Sequence, residues 1–184
     1  METFINFIKD FEGIFGAILG SATTLIITDI LHKKGRLKFY LMDYNGEYCY
    51  ESKENHYGPT KDKEYGQEIE SYRFQFTLDI YNTSELPKIM RDLKIKVYKD
   101  KKFLTSIPVN DEDTRRVVCK CITVDQTTIF NFNGKETANI TLSAEVPKEF
   151  AEQLNNKDIA LKLNYKNEKN KNKHFKIYKG VIRE

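Results

Sequence analysis

Tryptophan is missing from this chain of 184 residues, and cysteine (three), histidine (three), proline (four) and glycine (nine) are all scarce. Each shortage removes a class of function. The cysteines, Cys49, Cys119 and Cys121, are odd in number and lack CxxC spacing, which argues against a disulfide framework and a zinc knuckle. Cys119 and Cys121 stand two apart in "RVVCKCITV", so on one strand they would share a face as small buried side chains, in a reducing compartment. His32, His56 and His174 lie in unrelated segments without HxH or HExxH spacing and read as exposed polar residues. The glycines fall mainly in one apolar run and in turns, so no Walker loop or other phosphate cradle forms, and GxSxG is absent. Asp111, Glu112 and Asp113 in "NDEDTRR" lack the EF-hand pattern and read as a solvated loop. No residue is nominated for catalysis, metal binding or a cofactor, and the expectation is a protein that is not an enzyme.

Neither sign of charge dominates: 30 Lys and Arg against 27 Asp and Glu leave a net +3, too mild to demand a nucleic-acid partner. Long hydrophobic runs are equally rare in a chain that is 31% charged, and the exception stands out. "FGAILGSATTLII" belongs to an uncharged stretch from Gly13 to Thr28. Every face of a helix drawn through it is apolar, small or hydroxylated, whereas a helix packed on a β-rich core keeps a polar stripe. A secretory signal fits poorly, because "METFINFIKDFE" holds one lysine against three carboxylates. The expectation is a single membrane span over 11–31, about 31 Å at about 1.5 Å per residue, preceded by a short extracytoplasmic N-terminus, 1–10.

Basic residues come at once in "HKKGRLK". Lys33, Lys34, Arg36 and Lys38 mark a juxtamembrane linker, 32–36, in contact with lipid headgroups, and the positive-inside rule puts the C-terminal side in the cytoplasm of a bacterial cell. Within the helix Gly16 and Gly20 form a GxxxG pair that Thr24 extends, a surface on which two helices can approach closely and form a homo-oligomer.

From Leu37 the period changes to two. In "YRFQFTLDIYN" Phe74, Phe76, Leu78 and Ile80 share one face, and the alternation recurs at 93–97, 140–146, 159–163 and 175–177. Further strands are expected at 37–43, 47–52, 103–107, 116–124 and 127–132, with tight turns at Asn45-Gly46, Asp100-Lys101 and Asn133-Gly134. "PKEFAEQLNN" reads as the one short helix of this region, "SKENHYGPTKDKEYGQ" as a polar loop, and "KNEKNKNK" as a lysine-rich hairpin tip. The fold class is mainly β: an antiparallel β-sandwich domain over 37–184, with a small barrel as the alternative.

"LDIYNTSELPKIMRDLKIKVYKD", a strand ending in Asn-Thr-Ser followed by a proline and a second strand, resembles the hairpin of immunoglobulin-like sandwiches. More narrowly, the chain is similar to small bacterial and prophage proteins with one N-terminal membrane helix and such a domain behind it. The resemblance implies partner binding at a membrane, with superinfection exclusion or antiviral defence as the phage-related roles. The immunoglobulin Cys and Trp markers are absent. Two functions stand side by side: a membrane-anchored, non-enzymatic module that binds a protein partner, and a ligand-gated membrane effector whose β-domain binds a small molecule or nucleotide signal. A deep pocket with convergent polar or basic groups would favour the second, and a filled core with an exposed patch the first. The C-terminal lysines 166, 169, 171, 173, 176 and 179 interleave with Tyr165, Phe175 and Tyr178, but strand alternation accounts for the aromatics and nucleic acid is not the expected partner.

Overall fold

The structure is a computed structural model that describes residues 12–51, 67–119 and 121–182. It begins with a helix, α1 (Glu12–Lys33). Among the described residues ten strands come after it: β1 (Leu37–Tyr50), β2 (Ile69–Asn82), β3 (Lys88–Lys99), β4 (Lys102–Ile107), β5 (Val109–Val118), β6 (Cys121–Thr127), β7 (Ile129–Phe132), β8 (Thr137–Pro147), β9 (Asp158–Lys166) and β10 (Asn172–Val181). A short helix, α2 (Lys148–Ala151), runs into a 3-10 turn (Glu152–Leu154) between β8 and β9.

The strands form two antiparallel sheets, ordered β1-β2-β8-β5-β6 and β10-β9-β3-β4, with β7 pairing the first half of β3. The period-two pattern decides which residues meet. Phe74, Phe76, Leu78 and Ile80 of β2 are buried, as are Ile140, Leu142, Ala144 and Val146 of β8. Leu93, Ile95 and Val97 of β3 and Ile159, Leu161 and Leu163 of β9 close on them from the facing sheet. Along the seam between β1 and β10 the filling is aromatic: Phe39 stacks on Phe175 with centroids 5.2 Å apart, and Tyr44 on Tyr178 at 4.8 Å. The Tyr44 and Tyr72 hydroxyls share a hydrogen bond of 2.8 Å. Burial above all, with the neighbouring Tyr178, pushes the Tyr72 phenol up to about 12. The two sheets bury one shared core between them, and the architecture is a sandwich rather than a closed barrel.

Four expectations are corrected. Asn45-Gly46 makes no turn: β1 runs through it, paired residue for residue with β2 from Asp43 to Cys49. Gly46 fits there because a β-carbon would collide with the Tyr72 hydroxyl. Asn133-Gly134 does turn, but it carries the chain from one sheet to the other, since β7 pairs β3 and β8 pairs β2. The stretch 116–124 is a hairpin rather than one strand. Cys119 adopts the left-handed backbone (φ 51°) at its tip, and Cys119 and Cys121 are exposed, leaving Cys49 as the buried thiol. Finally, Asp111, Glu112 and Asp113 lie on β5, where Glu112 pairs with Arg115 and the Asp111 carboxylate accepts the Asp113 amide. The expected polar loop lies almost wholly outside the described residues.

α1 departs from one end of the sandwich, and the joint is specific. The chain leaves β2 through Asn82, a fully buried amide. Its Nδ2 donates to the carbonyls of Leu86 (2.9 Å), Phe132 (3.2 Å) and Asn133 (2.8 Å), and its Oδ1 accepts the Ser84 amide (3.0 Å). The turn fixed in this way grips the base of α1. The Thr83 hydroxyl accepts from Arg36 N (2.9 Å), and the Ser84 hydroxyl donates to the His32 carbonyl (3.1 Å). Gly35, at φ +148°, passes so close to Ser84 that no β-carbon fits. Removing the Asn82 amide would strip partners from buried backbone groups, so Asn82→Ala is expected to lower stability by about 2–3 kcal/mol. The measurement is the urea midpoint. Asn82→Asp, which keeps the acceptor and loses the donors, should not restore it.

Candidate functional site

The residues expected to act fall into two sets. Gly16, Gly20 and Thr24 lie on α1, whose described side chains, residues 13, 14 and 16–33, are all exposed; Leu25 shows 71% of its surface. A β-carbon on Gly16 or Gly20 would meet open space. Thr24 turns its hydroxyl back to the Gly20 carbonyl at 2.8 Å. Apolar residues are spread round the whole helix, as the sequence pattern implies. Even so, among the described residues no helix is long and apolar enough to cross a membrane, and the expected span over 11–31 is not supported as a crossing segment. The physical reason lies in its margins. The uncharged stretch ends at Thr28, about 24 Å from Gly13 at about 1.5 Å per residue, against a hydrocarbon core of about 30 Å. Asp29 and Lys33, paired at 2.5 Å, occupy the closing turns.

The second set converges. Lys33, Lys34, Arg36 and Lys38 line one side of a cleft of about 850 Å³ where α1 meets the sandwich. The other side is the tip of the β9–β10 hairpin, with Lys169, Lys173 and His174. Two basic segments some 130 positions apart in sequence thus face each other. Antiparallel pairing brings them together: Lys166 lies opposite Arg91 near the start of β3, the same end from which β1 begins. Phe39 and Tyr165, with centroids 5.5 Å apart, contribute an aromatic wall. The hairpin tip is held by Asn167, whose side-chain oxygen accepts the amides of Lys169 (3.1 Å) and Lys171 (2.9 Å).

Seven Lys or Arg residues line the cleft against one carboxylate, Glu168. That carboxylate is taken: Lys88, whose side chain is 11% exposed, donates to it at 2.9 Å. Burial of Glu168 opposes ionisation, but the Lys88 hydrogen bond and charge prevail and hold it below the usual carboxylate range. Burial and the charge of Glu168 push the Tyr165 phenol up to about 12. Among the described residues no carboxylate pairs with Lys34, Arg36, Lys38, Lys169 or Lys173, so the rim is strongly positive. The sequence announced each basic segment but not their meeting, and Lys88 gave no signal at all.

Among the described residues no group of three or more His, Cys, Asp or Glu is arranged to hold a metal ion. His32 lies 3.3 Å from Glu85 at the helix joint, His174 borders the cleft, and His56 lies outside the described residues. A second cleft, of about 640 Å³, lies on the first sheet; of its five charged residues, Arg73 pairs with Glu145 and Arg115 with Glu112, and Glu47 is the fifth. Beyond it the β5–β6 hairpin carries an exposed apolar tip with Val117, Val118 and Ile122. β5 pairs β8 only at Asn110 and Asp111, so little of the hairpin is tied to the neighbouring strand.

The pair at the cleft floor has a pH signature. Because the folded value of Glu168 is depressed, its contribution is complete above the ordinary glutamate value of about 4.3 and fades as pH falls through the lower folded value. Glu168→Gln is expected to cost about 1 kcal/mol at pH 7 and progressively less toward pH 3. Paired urea titrations across that range measure it.

Residues 35–178 match the model of the YopI Ig-like domain family. Over 118 residues the chain is 36% identical to the SPbeta prophage-derived uncharacterized protein YopI of Bacillus subtilis (strain 168), an alignment that spans 62% of this chain and 63% of that relative's length. Among solved structures, a protein from Archaeoglobus fulgidus covers 79% of this chain and 98% of its own at 7% identity and a TM-score of 0.44. An uncharacterized β-sandwich protein from Clostridium difficile 630 covers 79% and 90% at 13% identity and a TM-score of 0.38. At such TM-scores these two likenesses carry no argument. The family match covers most of the chain and includes both sheets and the joint at Gly35, and by it the chain belongs to the YopI Ig-like domain family.

Proposed function

We propose that this protein is a membrane-anchored, non-enzymatic interaction module, in which α1 inserts into the bacterial cytoplasmic membrane and holds the sandwich at its cytosolic face. The observation that carries this reading is α1 itself: a 22-residue helix with apolar residues on every side, whose described side chains are all exposed. Water is a poor solvent for such a surface, and contact with the hydrocarbon layer relieves that cost. Insertion also explains the collar. Lys33, Lys34, Arg36 and Lys38 would stand at the anionic headgroups, each contributing about 1 kcal/mol of attraction. Asp29, near the same end, would reach the headgroup layer, where a charge costs far less than at the bilayer centre. The exposed apolar tip of the β5–β6 hairpin is a surface for a protein partner. A prophage-derived relative fits a role in superinfection exclusion or antiviral defence, tasks that need a protein at the membrane an incoming phage must breach.

The basic cleft favours a second reading, in which a small anion bound at the joint acts on the helix and the protein is a ligand-gated effector. The joint is where a bound ligand could bias helix assembly, since Arg36 and Gly35 border the cleft and form the link to α1.

Anchoring is tested by charge in the helix. Ile18→Asp with Leu25→Asp alters two exposed positions that the sandwich does not touch, so the β-domain should keep its fold while the full chain moves from the carbonate-resistant membrane pellet to the supernatant. If the doubly charged chain stays in the pellet, the helix is not the anchor. Helix pairing is tested at the glycines. Gly16→Ile with Gly20→Ile should abolish crosslinked dimers in membranes without lowering insertion, since isoleucine is more apolar. Undiminished crosslinking would assign any self-association to another surface.

A further inference from the structure

We infer that the cleft at the helix joint is a binding site for a phosphate group, formed by the β9–β10 hairpin as much as by the juxtamembrane collar. A collar alone would be a diffuse attraction to a charged surface. Here the cations come from two separate walls of one concavity, Arg36 and Lys38 at the start of β1 and Lys169 and Lys173 on the hairpin. Both walls are fixed. The first is tied through Arg36 N and O to Thr83, and the second through Asn167 to the amides of the hairpin tip. Convergence of lysines on a small volume is costly by mutual repulsion, and the cost vanishes when an anion occupies it.

The chemistry selects phosphate over a carboxylate. Lysine ammonium groups are compact point charges with three donors each, and together with an arginine fork they suit a tetrahedral group with several oxygens and one or two negative charges. The one carboxylate that could compete for these cations, Glu168, is already held by Lys88 at 2.9 Å, so it caps the floor instead of filling the cleft. Phe39 and Tyr165 supply apolar wall for whatever the phosphate is attached to. The phosphate belongs either to a lipid headgroup or to a soluble ligand. This inference stands on the cleft and does not require that α1 insert, although a headgroup source would join the two readings.

The test uses the full chain in neutral phosphatidylcholine nanodiscs, titrated with inorganic phosphate and followed by amide NMR. Saturable shifts confined to 34–38 and 167–174 are expected. Lys169→Gln with Lys173→Gln should weaken binding about tenfold, the loss of one to two charge-assisted contacts. Lys101→Gln with Lys102→Gln, an equal loss of charge at the β3–β4 turn, should change it less than about twofold. Replacing a quarter of the lipid with phosphatidylglycerol separates the sources. If the same amides shift before phosphate is added, the site takes a headgroup; if they stay put and still titrate, it takes a soluble phosphate. Shifts that do not saturate, or that fall equally in both double variants, would overturn the inference. Failure of the chain to enter discs at all would count against the anchor alone, since the titration can then be run on the free protein.

Discussion

The molecule is organised around the side-chain amide of Asn82. It sits without exposure at the end of β2 and satisfies backbone carbonyls that belong to other segments, at Leu86, Phe132 and Asn133. Buried carbonyls at strand ends must find donors, and one amide serves three of them here. By doing so it sets the direction in which Thr83 and Ser84 leave the sheet, and those two residues hold Arg36 and His32. The position of the helix base, and of the basic residues around it, therefore derives from a hydrogen-bond pattern inside the sandwich. Gly134 belongs to the same knot, because a β-carbon there would overlap the Glu85 carbonyl.

The aromatic seam transmits that order along the first strand. Among the described residues β1 is an edge strand of its sheet, paired only with β2, and an edge that opens toward the second sheet needs side-chain packing to stay closed. Phe39 on Phe175 and Tyr44 on Tyr178 provide it, so β1 is held against β10 as well as hydrogen-bonded to β2. Phe39 and Tyr165 are at once the end of this packing and the wall of the basic cleft. Tight burial shows in the phenols: Tyr44 and Tyr72 are both pushed up, chiefly by desolvation. Both stay neutral where exposed tyrosines ionise, and their contribution to stability is complete below about pH 10 and lost only as pH rises through the folded values.

The sequence revealed the strands wherever burial was one-sided, because a period of two is the direct imprint of one dry face. Phe74 to Ile80 and Ile140 to Val146 are such cases, and every one of those alternating apolar positions is buried. It misled where local turn chemistry competed with long-range pairing. Asn45-Gly46 has the composition of a tight turn, but continuous pairing, Asn45 with Gln75 and Gly46 with Phe74, outweighs local preference. The cysteines failed for the opposite reason: an apolar run suggested a buried strand, whereas the chain reverses at Cys119 and leaves Val117, Val118 and Ile122 in solvent. The expected membrane span is a matter of margins. Its apolar character was evident, but the charges that close it cut the apolar length below a full crossing. Half of the candidate site was legible. Lys33 to Lys38 could be named as a group, while their approach to Lys169 and Lys173 depends on strand order, which no local pattern encodes.

Charge at the joint is balanced in part and left open in part. Several basic residues near this end have carboxylate partners: Lys33 with Asp29, Lys88 with Glu168, Lys166 with Asp92, and His32 beside Glu85. The chain therefore has acidic residues at hand and uses them around the cleft. The pairs at Lys33, Lys166 and His32 are exposed and contribute little to stability, yet they leave the positive field concentrated on the remaining cations. Lys34, Arg36, Lys38, Lys169 and Lys173 converge without such relief among the described residues. Here five cations from two separate stretches of sequence meet in a single concavity, on two rigid walls, at the point where an apolar helix leaves the domain. An anion placed there would be held by the sandwich and by the base of α1 together, so occupancy of the cleft would stiffen the joint between them.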